Sequence, residues 1–251
     1  MKKLLLLAVP FTVFLSCSSD SEDTTPVKAK KIIEVKQDNQ PFYKFTYNSK
    51  GAIEQITNYN NGVPANITVV EYTNDLETKR RVYNSQYTLF NYQTYTYTGK
   101  FISERSIFSV NQSTGQEILT QVTRYTNDAT KSSNNLTAVQ YYDGTGNLKW
   151  QQEISYTDKN GSSITNVYSD SGVKTNVSTT VKDNSIAWDK VLDPFVYQHD
   201  HNTTSSDNKN LVDGSTTGYT VEFTYDKDNY PLTAKYVHSN GLKYTYTFTW
   251  E

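Results

Sequence analysis

The 251-residue chain contains a single cysteine, Cys17, and a single methionine at its start. One cysteine cannot form an intramolecular disulfide, so a disulfide-stapled secreted domain is excluded. The chain has no excess of positively charged residues, since 24 Lys and Arg residues are balanced by 26 Asp and Glu residues and the net charge is −2. No cluster of Lys or Arg creates an attractive field for a polyanion, so nucleic acid is not expected as a partner.

Long apolar runs are also scarce, and the one clear run lies at residues 4–15, "LLLLAVPFTVFL". It follows two lysines, Lys2 and Lys3, and it contains Pro10. A run of this length is too short to span a bilayer, whereas a positive start followed by a short apolar segment is typical of a signal peptide. Residues 1–16 are therefore predicted to be a signal peptide and not a membrane-spanning helix.

Cys17 directly follows the small residue Ser16 in "FLSC". This placement resembles the lipobox of bacterial lipoproteins, and the resemblance implies that Cys17 is acylated and becomes the new N terminus. The alternative is an incidental thiol. Two or more acyl chains would hold the protein firmly on a membrane, because each buried CH₂ contributes about 0.8 kcal/mol. We predict that Cys17 is the lipidation site and that a membrane is a partner of the chain.

The segment at residues 17–30 is polar and lacks apolar periodicity, which is typical of a flexible tether. Its acidic residues, Asp20, Glu22 and Asp23, resemble the signal that exports Bacteroidetes lipoproteins to the outer face of the outer membrane. Simple solvation of the tether is the alternative. We predict an outer-membrane, lipid-anchored and surface-exposed protein, with residues 31–251 forming one domain of sufficient length for a real core.

Aliphatic residues are few and aromatic residues are many: the chain has 21 Tyr, 10 Phe and 3 Trp, with a mean hydropathy of −0.68. Aromatic and polar residues alternate at strand-like segments that each end in a turn, and a second aromatic segment follows each one. This repeat predicts hairpins, and pairs such as Asn61-Gly62 supply the positive φ that tight hairpin turns require. The repeated segments are "FTYNSKG", "EYTND", "YTYTGK", "RYTND", "ISYTDKNG" and "FTYDKDN".

The last segment, residues 243–250, alternates aromatic residues with threonine. In a strand, its rings point to one face and its hydroxyls to the other. A membrane-embedded barrel needs an aliphatic lipid-facing band, but here one face is rich in Tyr and the other in Thr, Lys and Glu. The sequence therefore predicts an all-β, water-exposed antiparallel meander of about a dozen strands, forming one curled sheet or half-open barrel with one short helical excursion.

Two of the hairpins, "FTYDKDN" and "YYDGTGN", resemble the YD-type hairpins of uncharacterised Bacteroidetes outer-membrane lipoproteins. These include a family of unknown function described as porin-like in fold. The resemblance covers residues 32–250 and departs from the pattern at Tyr230-Pro231, where a glycine-like turn residue is usual. The resemblance implies a fold and a cellular location, but it does not imply any catalytic or binding activity.

The repeated hairpin pattern is interrupted at residues 182–215. We interpret this segment as an irregular excursion with one or two helical turns before Pro194. Trp188, Phe195 and Tyr197 lie within it. They either plug one end of the curled sheet and complete its core, or form one wall of a ligand site, because long excursions on a rigid scaffold often carry binding residues.

His199 and His201 also lie in this excursion and would project to the same side of an extended segment. They are candidate ligand-binding residues together with the three aromatic residues. Two imidazoles do not complete a metal site, and His238 is the one further histidine of the chain. A solvated loop is therefore the preferred interpretation, and no metal or cofactor is predicted.

The sequence gives little support for a catalytic site. No G-x-S-x-G elbow occurs, and Glu71, Glu153 and Glu222 are expected on the polar face of the sheet. We predict a non-catalytic, lipid-anchored module that binds a glycan, an envelope protein or another copy of itself. The alternatives are a carboxylate-based hydrolase acting on glycans, and a carrier of a hydrophobic ligand inside the curl.

Overall fold

The computed structural model describes residues 29–131, 135–192 and 200–251. A compact unit extends over Lys31–Glu251. The described part of this unit contains sixteen β-strands and one 3₁₀ turn, Asp189–Val191. Within the described ranges, no helix has the length and apolarity needed to cross a membrane. The strands are β1 (Ile32–Gln37), β2 (Gln40–Tyr47), β3 (Ile53–Asn60), β4 (Val63–Thr73), β5 (Leu76–Asn84), β6 (Leu89–Thr98), β7 (Phe101–Val110), β8 (Glu117–Asn127), β9 (Leu136–Asp143), β10 (Leu148–Tyr156), β11 (Ser163–Ser169), β12 (Lys174–Ile186), β13 (His201–Asn210), β14 (Thr216–Tyr225), β15 (Pro231–His238) and β16 (Lys243–Trp250).

The strands form a closed antiparallel barrel in which each strand pairs with its neighbours along the chain. Closure is made by β1 and β16, with Val35 opposite Phe248 and Lys36 opposite Thr247. The prediction of a half-open sheet of about a dozen strands with a helical excursion was therefore wrong. The barrel is closed and has sixteen strands, and the only helical element in the described part of the excursion is a 3₁₀ turn.

The missing strands lie outside the repeats that the sequence displays. The six repeats correspond to the hairpins β2–β3, β4–β5, β6–β7, β8–β9, β10–β11 and β14–β15, and they leave out β1, β12, β13 and β16, of which β16 was expected from its own alternation. Strand β13, "HNTTSSDNKN", has no apolar residue and gives no alternating signal. It is held by ladders to β12 and β14 on its two sides. The expected irregular stretch at 182–215 is accordingly shorter, because β12 continues to Ile186 and β13 begins at His201.

Several tight turns form without glycine. Asp38 and Asn39 join β1 to β2 with φ values of 47° and 67°, and Asn74 with Asp75 joins β4 to β5 in the same left-handed conformation. Asn and Asp adopt this region more readily than other non-glycine residues, because their short side chains hydrogen-bond locally. At Asn61-Gly62 both residues have positive φ, as the sequence predicts.

The inward face carries the hydrophobic core. Phe248 is 4% exposed, whereas its neighbours Thr247 and Thr249 on the outward face are exposed, which confirms the expected face assignment at this strand. We call the main cluster the aromatic core; it fills the part of the lumen beside β14–β16 and β1–β4, and its burial stabilises the barrel by about 1.5 to 3 kcal/mol for each large side chain. Its buried members are Ile32, Val35, Phe45, Ile53, Ile56, Val70, Trp188, Val221, Ala234 and Phe248.

The outward face is polar and charged. Glu34 on β1 lies 3.7 Å from the ammonium of Lys44 on β2, and Glu104 on β7 lies 3.1 Å from Arg124 on β8. Glu71 on β4 forms an ion pair with the side chain of Arg81 on β5. Glu222 and Lys235 stand opposite each other on β14 and β15, and both are exposed. Charged side chains therefore occur on the outer wall at several positions around the barrel.

Candidate functional site

The lumen contains a cavity of about 530 Å³ on the side away from the aromatic core. Its walls are formed by strands β7 to β14, and its lining includes Arg105, Thr123, Tyr141 and Trp150. This volume is within the range of about 300 to 1,000 Å³ that is typical of small-molecule sites. We treat this cavity as the candidate site.

Four of the lining residues lie side by side across four neighbouring strands, and we call them the transverse row. In the strand register Arg105 is opposite Thr123, Thr123 is opposite Tyr141, and Tyr141 is opposite Trp150. Adjacent strands are about 4.8 Å apart, so opposed residues on one face are direct neighbours. The rings of Tyr141 and Trp150 are stacked, with centroids 5.0 Å apart and an interplanar angle of 13°.

Polar groups border this aromatic pair. The side-chain amide of Gln121 donates to the hydroxyl of Thr123 at 2.9 Å, and Thr123 is only 3% exposed. Gln152 follows Trp150 on the inward face of β10 because alternate residues of a strand share a face. Strands β11 and β12 add hydroxyl groups to the lining, from Ser163, Thr165, Ser178 and Thr180. The cavity lining therefore combines two stacked aromatic rings with many hydrogen-bonding groups.

The charges in the cavity lining are positive. Arg105 and Lys182 contribute cations, and within the described ranges no Asp or Glu lines the cavity. Burial lowers the pKa of Lys182 to about 8, and the nearby carboxylates, first of all Asp189, partly oppose this shift. A group with a pKa of about 8 is still mostly protonated at pH 7, so Lys182 is mostly cationic under neutral conditions.

The chain between β12 and β13 enters the lumen. Trp188 is 6% exposed, and its ring lies 5.0 Å from that of Phe248 in the aromatic core. The guanidinium of Arg80 on β5 donates to the backbone carbonyl of Leu192. Because β5 and β12 are seven strands apart in the wall, this contact requires the segment to cross the interior. Burial raises the pKa of Asp189 in this segment to about 6.

The residues that the sequence singled out are placed as follows. Trp188 belongs to the aromatic core, and His201 lies half-buried at the start of β13, with its Nδ1 atom 3.3 Å from the carbonyl oxygen of Ser185. Cys17, Phe195, Tyr197 and His199 lie outside the described residues. In the described part of the chain, no group of three or more His, Cys, Asp or Glu side chains could hold a metal ion. The site assignment of these residues stays a prediction.

The three glutamates that the hydrolase alternative needs lie on the outward face. Glu71 is on β4, Glu153 is on β10 and Glu222 is on β14. Each one is adjacent in sequence to inward-facing residues, and Glu153 accepts a hydrogen bond from the hydroxyl of Tyr168 at 2.8 Å. At least three strands lie between any two of them in the wall, so they do not form a carboxylate pair.

The transverse row was missed in the sequence. Its signal is present in β10, "LKWQQEISY", whose inward positions Trp150, Gln152, Ile154 and Tyr156 mix aromatic, amide and aliphatic side chains. A face that packs into a dry core excludes unpaired amides, so a mixed inward face indicates a strand that borders a cavity.

No protein-family model and no curated protein matches the sequence. Solved structures do match the fold. A porin-like protein from Bacteroides uniformis is 14% identical, with 88% of this chain and 97% of that chain covered and a TM-score of 0.57. A porin-like protein from Bacteroides vulgatus is 12% identical, with 87% and 97% covered and a TM-score of 0.53. At these identities the likeness is one of fold, and the chain is similar to these two proteins in its barrel architecture.

Proposed function

We propose that this protein is a lipid-anchored barrel of the cell envelope that binds a small saccharide inside its lumen, without catalysing a reaction on it. The observation that carries the proposal is the cavity with the stacked rings of Tyr141 and Trp150 beside a wall of hydroxyl and amide groups. A sugar ring has an apolar face of C–H groups and a rim of hydroxyls. An aromatic surface fits the first and the polar lining fits the second.

The cavity lining favours a saccharide over a purely hydrophobic cargo. An apolar ligand would cover polar groups such as the Gln152 amide and the hydroxyls of Thr165 and Thr180 without giving them hydrogen-bond partners. Burying a polar group in this way costs about 1 to 3 kcal/mol for each group. A saccharide offers donors and acceptors to the same groups, so the cost is avoided.

The hydrolase alternative receives no support from this cavity. Glycoside hydrolysis usually requires two carboxyl groups on either side of the scissile bond, about 5 to 10 Å apart. The described lining carries Arg105 and Lys182 instead, and Glu71, Glu153 and Glu222 lie on the outer wall. A binding role fits this arrangement better than acid–base catalysis.

The outer wall supports a barrel that stands in water and is held at the membrane by its lipid. A Lys or Arg on a lipid-facing wall costs about 2 to 4 kcal/mol near the midplane of the bilayer. Lys44, Arg81, Arg124 and Lys235 are all on the outer wall of this barrel. The lipobox-like Cys17 provides the anchor in this proposal, and the Bacteroides porin-like neighbours support an envelope location.

The filled lumen argues against free diffusion through the barrel. Porins of 16 to 18 strands leave an aqueous channel. Here the aromatic core fills one side of the lumen, and the segment with Trp188 crosses towards Arg80. Beside them lies the cavity of about 530 Å³, whose size suits retention of a ligand.

Calorimetric titration of the full chain in detergent with a panel of mono- and disaccharides tests this proposal. Tyr141→Ala should weaken binding about tenfold, because the aromatic surface is lost. Tyr142→Ala is the matched control, since Tyr142 is the next residue on the outward face, where it contacts Arg124. Equal effects of the two variants, or no heat with any sugar of the panel, would contradict a lumenal saccharide site.

A further inference from the structure

We infer that the ligand of the lumenal cavity is a linear oligosaccharide of at least two sugar rings, which extends along β10 and reaches hydroxyl groups of β11, β12 and β13. This inference rests on the proposed lumenal saccharide site. It adds to the stacked rings of Tyr141 and Trp150 a second contact region, which we call the hydroxyl patch. The patch consists of Thr165, Thr180 and Ser206, which all line the cavity.

The cavity is elongated along β10. Trp150, Gln152, Ile154 and Tyr156 all contribute to its lining, because alternate residues of a strand share the inward face. Trp150 and Tyr156 are six residues apart, so the lining extends about 20 Å along this strand. A single sugar ring stacked on Trp150 would occupy one end of this length and leave the other end unfilled.

The hydroxyl patch lies beyond the reach of a single ring that stacks on Trp150. Thr165 is opposite Ile154 in the strand register, and Ile154 lies about 13 Å from Trp150 along β10. Thr180 is on the next strand, β12, and Ser206 is opposite it on β13. A second or third ring is therefore needed for a ligand that contacts both the aromatic pair and the patch.

The hydroxyl groups of the patch are available to a ligand. Among the described residues, the side chains of Thr165, Thr180 and Ser206 have no hydrogen-bond partner, and all three are half-buried. Ser178 on the same wall differs, since its hydroxyl donates to Oδ1 of Asn208 at 3.1 Å. A hydroxyl both donates and accepts, as do the hydroxyls of a sugar, so the patch matches a sugar ring in its hydrogen-bonding groups.

Gln152 connects the two contact regions. It is the next inward residue after Trp150 on β10, is half-buried, and has no hydrogen-bond partner among the described residues. Its side-chain amide carries both donors and an acceptor. This position suits a contact with the second ring or with the oxygen that links it to the first.

The interior space continues past the patch. A second cavity of about 230 Å³ shares Ser206 and Tyr219 with the first, and its lining includes Ser239 and Asn240. These two residues belong to the turn between β15 and β16, which lies at an end of the barrel. A chain that passes the patch therefore has space in the direction of the barrel end.

Calorimetry on the full chain with two series of sugars tests the inference. One series is glucose, maltose and maltotriose, and the other is glucose, cellobiose and cellotriose, so the ring is constant and the linkage differs. In at least one series the trisaccharide should bind about tenfold more tightly than glucose, because the additional rings form hydrogen bonds with the patch.

Thr180→Val removes a hydroxyl of the patch and keeps the shape of the side chain. It should weaken binding of the trisaccharide about fivefold and leave the affinity for glucose unchanged. Thr179→Val is the matched control, since Thr179 is the preceding residue of β12 and is exposed on the outer wall opposite Ile164. The control should change neither affinity.

Equal affinity for glucose and both trisaccharides would overturn the inference, as would equal effects of the two Thr→Val variants. The lumenal saccharide site would still stand if Tyr141→Ala weakened the binding of glucose. Binding of no member of either series would also overturn the inference, and the proposed function itself would fail if the wider sugar panel gave no heat.

Discussion

Removal of the Phe248 ring is expected to destabilise the barrel severely. The side chain is 4% exposed, lies opposite the fully buried Val35 on β1, and contacts the ring of Trp188 at a centroid distance of 5.0 Å. Phe→Ala changes in well-packed cores cost about 3 to 5 kcal/mol, because transfer free energy is lost and a cavity remains. We expect a loss of this size in the free energy of unfolding.

Thr247→Ala is the matched control. Thr247 is the preceding residue of the same strand, but it is exposed on the outer wall opposite Lys36 and Thr233. Substitutions at such surface positions change stability by less than about 1 kcal/mol. The two variants therefore share the strand and differ in the face that they alter.

Thermal melts followed by tryptophan fluorescence measure both variants. For a domain of about this length, 1 kcal/mol shifts the melting temperature by roughly 2 to 4 °C, so Phe248→Ala should lower it by roughly 6 to 20 °C. Equal and small shifts for Phe248→Ala and Thr247→Ala would refute the core assignment. The rings of β16 would then be better explained as an exposed binding stripe.

Two further predictions concern the anchor and the segment inside the lumen. Cys17→Ser should move the protein from the membrane fraction to the soluble fraction or leave its precursor unprocessed, and unchanged partitioning and processing would contradict lipidation. Burial raises the pKa of Asp189 from 3.8 to about 6, so the native state binds more protons than the unfolded state between these values, and this contribution to stability falls as pH rises from about 4 to 6. Asp189→Asn should remove that contribution, which urea midpoints at pH 4, 5 and 6 would show, whereas parallel curves for the two proteins would count against it.

Local features of the fold were predictable because hairpins are encoded locally. The alternation in β16 assigned Phe248 to the core face, and Asn61-Gly62 marked a turn in which both residues adopt positive φ. The strand number was underestimated where such signals are absent. β13 has no apolar residue, and Asp38 with Asn39 forms a tight turn without glycine.

Barrel closure could not be predicted from the same pattern. A strand with one apolar and one polar face looks identical in an open sheet and in a closed barrel, because both bury one face. Closure depends on the pairing of Val35 with Phe248, which lie at opposite ends of the chain. The residue pattern within β1 or within β16 does not indicate that these two strands pair.

The candidate site was hidden for a related reason. Arg105, Thr123, Tyr141 and Trp150 are spread over four strands, and only the register of three ladders places them in one row. Individually, each is an ordinary strand residue. The sequence pointed instead to the interrupted stretch with Trp188, whose ring packs into the aromatic core.

The single ladder that joins β1 to β16 divides the folding of this barrel into two kinds of step. Every other ladder connects strands that follow each other along the chain, and most of these pairs are joined by short turns, so their hairpins form with little loss of loop entropy. Closing the last ladder brings together the two ends of the domain, which costs about 2 to 3 kcal/mol more in loop entropy than closing a hairpin. Until that step the growing sheet has two unpaired edges that another chain can join. The rate at which β1 finds β16 should therefore set the competition between a closed monomer and aggregation during refolding.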